Sequence, residues 1–266
     1  MKLKVLFTEL YYESKDSVRR VLGELVPPRK YRILMGGDES FDAVGKQFFN
    51  YFVEIGNLKP HESVLDVGCG VGRMAIQLTR YISRQGEYCG FDINRGAIQW
   101  CRKNITPRFP NFNFELSDIY NTMYNRAGRC QDTSYIFPYS DKKFDFIFLT
   151  SVFTHMLPAG VDHYFSEIAR VIKPGGRTMI TYFILNEESK ALMNQGLARY
   201  DFKHPVESCF TANEAVPEHA IAYNEKAVLD LYEKYRFDLS GPIRYGSWPG
   251  RTSHLTFQDL VFATKR

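Results

Sequence analysis

Ser63-Val64-Leu65-Asp66-Val67-Gly68-Cys69-Gly70-Val71-Gly72-Arg73 reads as an apolar strand that runs through three alternating glycines straight into a helix. Val64, Leu65 and Val67 form the unbroken apolar run of a strand covered on both faces. Glycine at 68, 70 and 72 lets the chain turn sharply and lets backbone approach a ligand. The helix expected from Arg73 to about Ile82 then offers free N–H groups to that turn. This places a nucleotide-type site at the carboxyl end of the first strand of an open α/β sheet.

A glycine-rich turn has several uses, and its neighbours separate them. A phosphate loop needs Gly-Lys-Ser/Thr, which does not follow here. A dinucleotide fingerprint puts its third glycine where Arg73 stands, and it does not call for the carboxylate Asp66 just before the first glycine. Asp66 would repel a pyrophosphate and attract a cationic amino-acid group.

Asp66-Val67-Gly68-Cys69-Gly70-Val71-Gly72 resembles the first motif of the class I S-adenosylmethionine-dependent methyltransferases, and the family's other landmarks follow in order from about Phe41 to Thr264. The resemblance implies a Rossmann-like α/β fold, with a seven-stranded, mostly parallel sheet, helices on both faces and an antiparallel last strand. It implies a cap over residues 1–40 and a methyltransferase domain over 41–266, with insertions at 120–143 and 186–222.

A second strand, Glu87 to Ile93, delivers Asp92 about 20 residues beyond the glycines, where a carboxylate suits two ribose hydroxyls. In the resemblance Asp66 orients the methionine end, Gly68, Cys69, Gly70 and Gly72 admit the cofactor, Asp92 holds the ribose, and Ile93, Asp118 and Ile119 meet the adenine. Arg73, or a basic group in Arg29-Lys30-Tyr31-Arg32 before Gly36-Gly37-Asp38, is placed to meet the methionine carboxylate. A solvated basic loop is the plainer reading of that segment.

A fourth strand, Phe144 to Ser151, brings Thr150 to the methyl donor and Phe153 and His155 to the border between donor and acceptor. Methyltransferases of exocyclic amines carry an Asn/Asp-Pro-Pro-aromatic tetrapeptide there; Thr150-Ser151-Val152-Phe153 stands in its place and argues against nucleobase amines. His155 is the candidate base for an acceptor hydroxyl, with a loop-holding histidine as the alternative. Aligned methyl transfer can also proceed without a base.

Val161 to Val171 is an amphipathic helix, and Lys173-Pro174-Gly175-Gly176-Arg177 a structural turn into a strand from Thr178 to Leu185. Other expected helices are Ser17–Leu25, Phe41–Asn57, Gly96–Asn104 and Glu225–Tyr235, and Phe237–Tyr245 with Leu260–Thr264 form the final strand pair. Within the insertions and the last loop, Glu188, His204, Tyr223 and Trp248 are candidate acceptor contacts.

With 266 residues, 44% apolar and 24% charged, the chain has the material for one full core. The net charge of +4 is mild and scattered, so no nucleic-acid partner is expected. No stretch reaches membrane-spanning length and no signal sequence stands out. Five cysteines without paired spacing suggest reduced thiols in the cytoplasm, with no metal and no disulfide framework. The resemblance implies methyl transfer from S-adenosylmethionine, leaving S-adenosylhomocysteine, and the aromatic-rich insertions with the missing amine tetrapeptide point to a small-molecule acceptor at oxygen. Nitrogen methylation, an RNA or protein acceptor, an NAD-dependent oxidoreductase and a non-catalytic cofactor-binding subunit are the alternatives.

Overall fold

The computed structural model describes residues 2–34, 37–38 and 40–266, residues 2–11 by their backbone alone. Three helices, α1 (Lys2–Val21), α2 (Arg29–Leu34) and α3 (Phe41–Glu54), precede the quoted strand β1 (Ser63–Val67). Then come α4 (Arg73–Leu78), β2 (Glu87–Asp92), α5 (Arg95–Asn104), β3 (Phe112–Leu116), β4 (Phe144–Leu149), α6 (Pro158–Val171) and β5 (Ile172–Tyr182). The carboxyl-terminal part adds β6 (Ile184–Leu185), α7 (Glu187–Asn194), β7 (His204–Val206), β8 (Cys209–Thr211), β9 (Ile221–Asn224), α8 (Glu225–Lys234), β10 (Phe237–Leu239) and β11 (Asp259–Lys265).

The main sheet has the order β10-β11-β5-β4-β1-β2-β3. Every pair from β5 to β3 is parallel, and only β11 runs against its neighbours β5 and β10. This is the seven-stranded, mostly parallel sheet with an antiparallel last strand. The chain order reverses between β1 and β4, so a crevice opens outside the carboxyl ends of those strands.

Alternation within β1 divides the core. Leu65 and Val67 pack on one face with Phe165 and Ile168 of α6 and Val228 of α8. Val64 packs on the other with Phe52 of α3, Met74 of α4 and Ile98 of α5. The side chain of Asp66 therefore shares the face of Val64 while standing at the open end of the strand.

Several elements differ from the sequence expectation. The first helix runs from Lys2 to Val21 rather than over 17–25, because Val26-Pro27-Pro28 stops a helix but does not say where it starts. α3 and α4 end earlier than expected, at Glu54 and Leu78. β5 begins at Ile172, and the Lys173–Gly176 turn is a bulge within it: Phe144 and Phe146 oppose Ile172 and Arg177. The 186–222 stretch is not irregular, since β6, β9, β8 and β7 form a second four-stranded sheet.

That second sheet packs Phe183, Leu185, Phe202 and Ala222 against Trp248 in a small core of its own. Asp259 holds it to the main sheet. Its buried carboxylate accepts from the N–H groups of Ile184 (2.7 Å) and Gly246 (2.6 Å) and from Trp248 Nε1 (2.8 Å), and faces the Arg251 guanidinium at 3.5 Å. Burial still pushes its pKa up to about 6. Asp259→Ala leaves those donors unpaired beside a buried guanidinium, and is expected to cost about 3 kcal/mol in chemical denaturation.

Candidate functional site

At the crevice the turn after β1 is drawn tight. Gly68 has φ +77°, and a Cβ there would stand 2.5 Å from Val152 Cγ2, so the loops after β1 and β4 meet over a glycine. Ser151, after β4, also lies in the left-handed region at φ +59°, with its N–H bonded to Thr181 Oγ1 and its hydroxyl to Gln258 Oε1. Such backbone cost is commonly stored at functional positions.

Below these loops is a cavity of about 600 Å³. Asp66, Gly68, Cys69, Arg73, Asp92, Ile93, Ile119, Thr150 and His155 line it, so nine of the sequence candidates come together. Gly70 and Gly72 shape its turn from behind: both have positive φ, and the Gly70 N–H donates to Asp92 Oδ2 at 2.8 Å. The Asn94 N–H donates to Asp92 Oδ1 at 2.7 Å, which fixes the carboxylate plane. Desolvation raises the Asp92 pKa against the pull of these N–H groups.

Asp66 is more deeply placed. Its Oδ2 accepts from the Tyr88 hydroxyl at 2.6 Å, whereas its buried Oδ1 has no partner. Burial pushes its pKa up to about 7; the Tyr88 hydrogen bond and Arg73 draw it down, and Asp92 pushes it up. A buried carboxylate oxygen without a donor, at the wall of a cavity, is a ready acceptor for an ammonium or a water.

His155 is held by the second insertion. Its Nδ1 lies 2.8 Å from the Glu218 carbonyl, which only accepts, so Nδ1 carries the hydrogen. Desolvation lowers its pKa, so the ring is neutral and Nε2 keeps its lone pair.

Six candidates lie elsewhere. Asp118 does not line the cavity: Ser117 and Ile119 turn inward, so alternation sends Asp118 outward to Arg129 at 2.5 Å. Phe153 is fully buried between Phe165 and Tyr182. Tyr223 is also buried, and its hydroxyl bonds to the Met156 carbonyl. Trp248 belongs to the small core around Phe183. Glu188 points out to Arg251 at 2.7 Å. His204 lines a shallow groove that shares Arg199, Tyr200 and His219 with the cavity, and has Glu214 at 3.6 Å.

The basic amino-terminal stretch is used internally. Arg32 pairs with Asp16 at 2.6 Å and with Asp38 at 2.5 Å, and Arg29 pairs with Asp38 at 2.9 Å. Leu34 reaches the cavity, whereas Gly36 lies outside the described residues. Arg73 is the basic candidate that lines the cavity wall.

The other lining residues lie in segments that the sequence marks as insertions or loops rather than as individual candidates. Asp132 and Tyr124 come from the 120–143 connection, Arg199, Tyr200 and His219 from the second insertion, and Phe257 and Gln258 from the loop before β11. Among the described residues no group of three or more His, Cys, Asp and Glu is placed to hold a metal, and no helix is long and apolar enough to cross a membrane.

A family model described as a methyltransferase domain matches residues 58–238. Among curated proteins, the ubiquinone/menaquinone biosynthesis C-methyltransferase UbiE of Wigglesworthia glossinidia brevipalpis is 24% identical over 185 residues, covering 69% of this chain and 68% of its own. A fatty-acid O-methyltransferase of Mycolicibacterium smegmatis is 32% identical over 120 residues, covering 44% of this chain and 36% of its own. Among solved structures, the 1,6-didemethyltoxoflavin-N1-methyltransferase of Burkholderia thailandensis, with S-adenosylhomocysteine bound, aligns with a TM-score of 0.55 at 15% identity over 96% of this chain and 89% of its own. That likeness is one of fold.

Proposed function

Because the chain belongs to the methyltransferase-domain family, we propose that it transfers a methyl group from S-adenosylmethionine to a small molecule, with oxygen as the atom methylated. In this reading residues 1–40 form a cap, residues 41–266 form the catalytic domain, and the protein works in the cytoplasm. The observation that carries the assignment is the pair of carboxylates, Asp66 and Asp92, at the carboxyl ends of adjacent strands on one cavity wall.

The residues fit the cofactor. Asp66 Oδ1 lacks a donor, as an ammonium or an intervening water would supply. Asp92, held by two backbone N–H groups, keeps accepting capacity for two ribose hydroxyls. Ile93 and Ile119 would offer apolar contact to adenine, and Arg73, on the same wall, would meet the methionine carboxylate. When bound, the cofactor supplies a methyl carbon on a positively charged sulfur.

The protein's own contribution is to position and to exclude water. Gly68, Thr150 and Val152 close the cavity where the loops after β1 and β4 meet, and Tyr164, Tyr200 and Phe257 give it an aromatic wall. Through Nδ1, His155 ties the Glu218 segment over the cavity, and its Nε2 lone pair is available to an acceptor proton.

C-methylation is the second reading, favoured by the likeness to the C-methyltransferase UbiE. Isotopically labelled S-adenosylmethionine, incubated with the protein and with separate small-molecule, RNA and protein pools, tests the assignment. Label is expected in the small-molecule pool at an O-methyl group. Label confined to RNA or protein would overturn the reading.

A further inference from the structure

The acceptor side of the cavity contains a carboxylate that the cofactor reading does not use. Asp132 lies in the wall with Tyr164 and Met156 of the α6 region, far along the chain from Asp66 and Asp92. It is half-buried, and desolvation raises its pKa. Its nearby donors are backbone N–H groups, its own and that of Thr133, while His163 and Glu218 act on it through charge alone. No side chain among the described residues hydrogen-bonds to it.

Helix α6 leaves room for this group. A Cβ on Gly160, in the first turn of α6, would collide with the Asp132 carboxylate, and Met156 Cε would lie 3.2 Å from the same atom. Any other residue at 160 would displace the carboxylate. The Tyr124, Tyr164, Tyr200 and Phe257 rings surround the same volume and suit a flat apolar body.

We propose that Asp132, seated over Gly160, binds the acceptor through a ring hydroxyl, so that the substrate class is a hydroxylated aromatic small molecule. This deepens the methyltransferase reading and rests on it. A carboxylate desolvated in an aromatic wall rewards an O–H donor and penalises an isostere that lacks one. The binding step alone is assigned to Asp132.

The test is binding, so it needs no turnover. Protein saturated with S-adenosylhomocysteine is titrated calorimetrically with 2-naphthol against 2-methoxynaphthalene, and with catechol against 1,2-dimethoxybenzene. Wild type is expected to prefer the free hydroxyl about tenfold, the worth of one hydrogen bond to a charged group. Asp132→Leu and, independently, Gly160→Ala are expected to abolish the preference while leaving S-adenosylhomocysteine affinity unchanged. Absence of a hydroxyl preference in wild type, or its survival in both variants, overturns the proposal. Failure of wild type to bind S-adenosylhomocysteine would instead remove the methyltransferase reading beneath it.

Discussion

Replacing Asp92 by alanine is expected to weaken S-adenosylhomocysteine binding by about a hundredfold or more, since two hydrogen bonds to a charged acceptor contribute roughly 3 kcal/mol together. The same carboxylate anchors the N–H groups of Gly70 and Asn94, so its loss also frees the glycine turn and the start of α5. Asp92→Asn keeps an acceptor oxygen and is expected to lie between wild type and alanine. Calorimetric titration of the three proteins reads the order directly. Equal affinities would mean that the ribose is held elsewhere.

The second large effect is a pH dependence centred on Asp66. Its pKa in the free protein is about 7, raised chiefly by burial, so near neutrality half the molecules carry it protonated. A ligand ammonium favours the carboxylate. Affinity for S-adenosylhomocysteine is therefore expected to fall as pH drops below 7, by up to about tenfold per unit. At pH 6 binding then releases a proton, which calorimetry in two buffers of different ionisation enthalpy detects. Asp66→Asn is expected to bind weakly and to release none. A wild-type affinity that is flat between pH 5.5 and 8 would contradict this role.

Stability without ligand follows the opposite trend. The folded state holds the Asp66 proton up to about 7, whereas the unfolded chain loses it near the ordinary aspartate value of 3.8. Between those values the folded state binds more protons, so this group's contribution to stability declines as pH rises. Asp259, with its pKa at about 6, acts in the same direction. His155 acts against them, because its depressed pKa makes the folded state bind fewer protons than the unfolded chain below about pH 6.5.

What was legible in the sequence was local. The run from Ser63 to Arg73 carries strand, turn and helix signals in consecutive residues, and Asp92 ends a strand that pairs residue for residue with it. What was not legible depends on chain segments meeting across the fold. Asp132, Arg199 and Phe257 line one cavity from three separate loops, and no spacing rule joins them.

The misplaced candidates have individual causes. Asp118 sits at the expected strand end, but one residue out of phase with the inward face. Trp248 and Tyr223 stand as candidate acceptor contacts in the sequence because β6 to β9 are two to four residues long, too short for alternation to reveal their burial. Trp248 is buried in the small core beside that hidden sheet, and Tyr223, on β9, is buried in the main core.

Calorimetric titration of the folded wild-type protein with S-adenosylhomocysteine, with NADH as comparator, tests the central claim most directly. Saturable binding of S-adenosylhomocysteine alone, lost in Asp92→Ala, is the result expected from the paired carboxylates. Binding of NADH instead, or no binding by protein shown to be folded, would contradict the cofactor assignment and each residue role that depends on it.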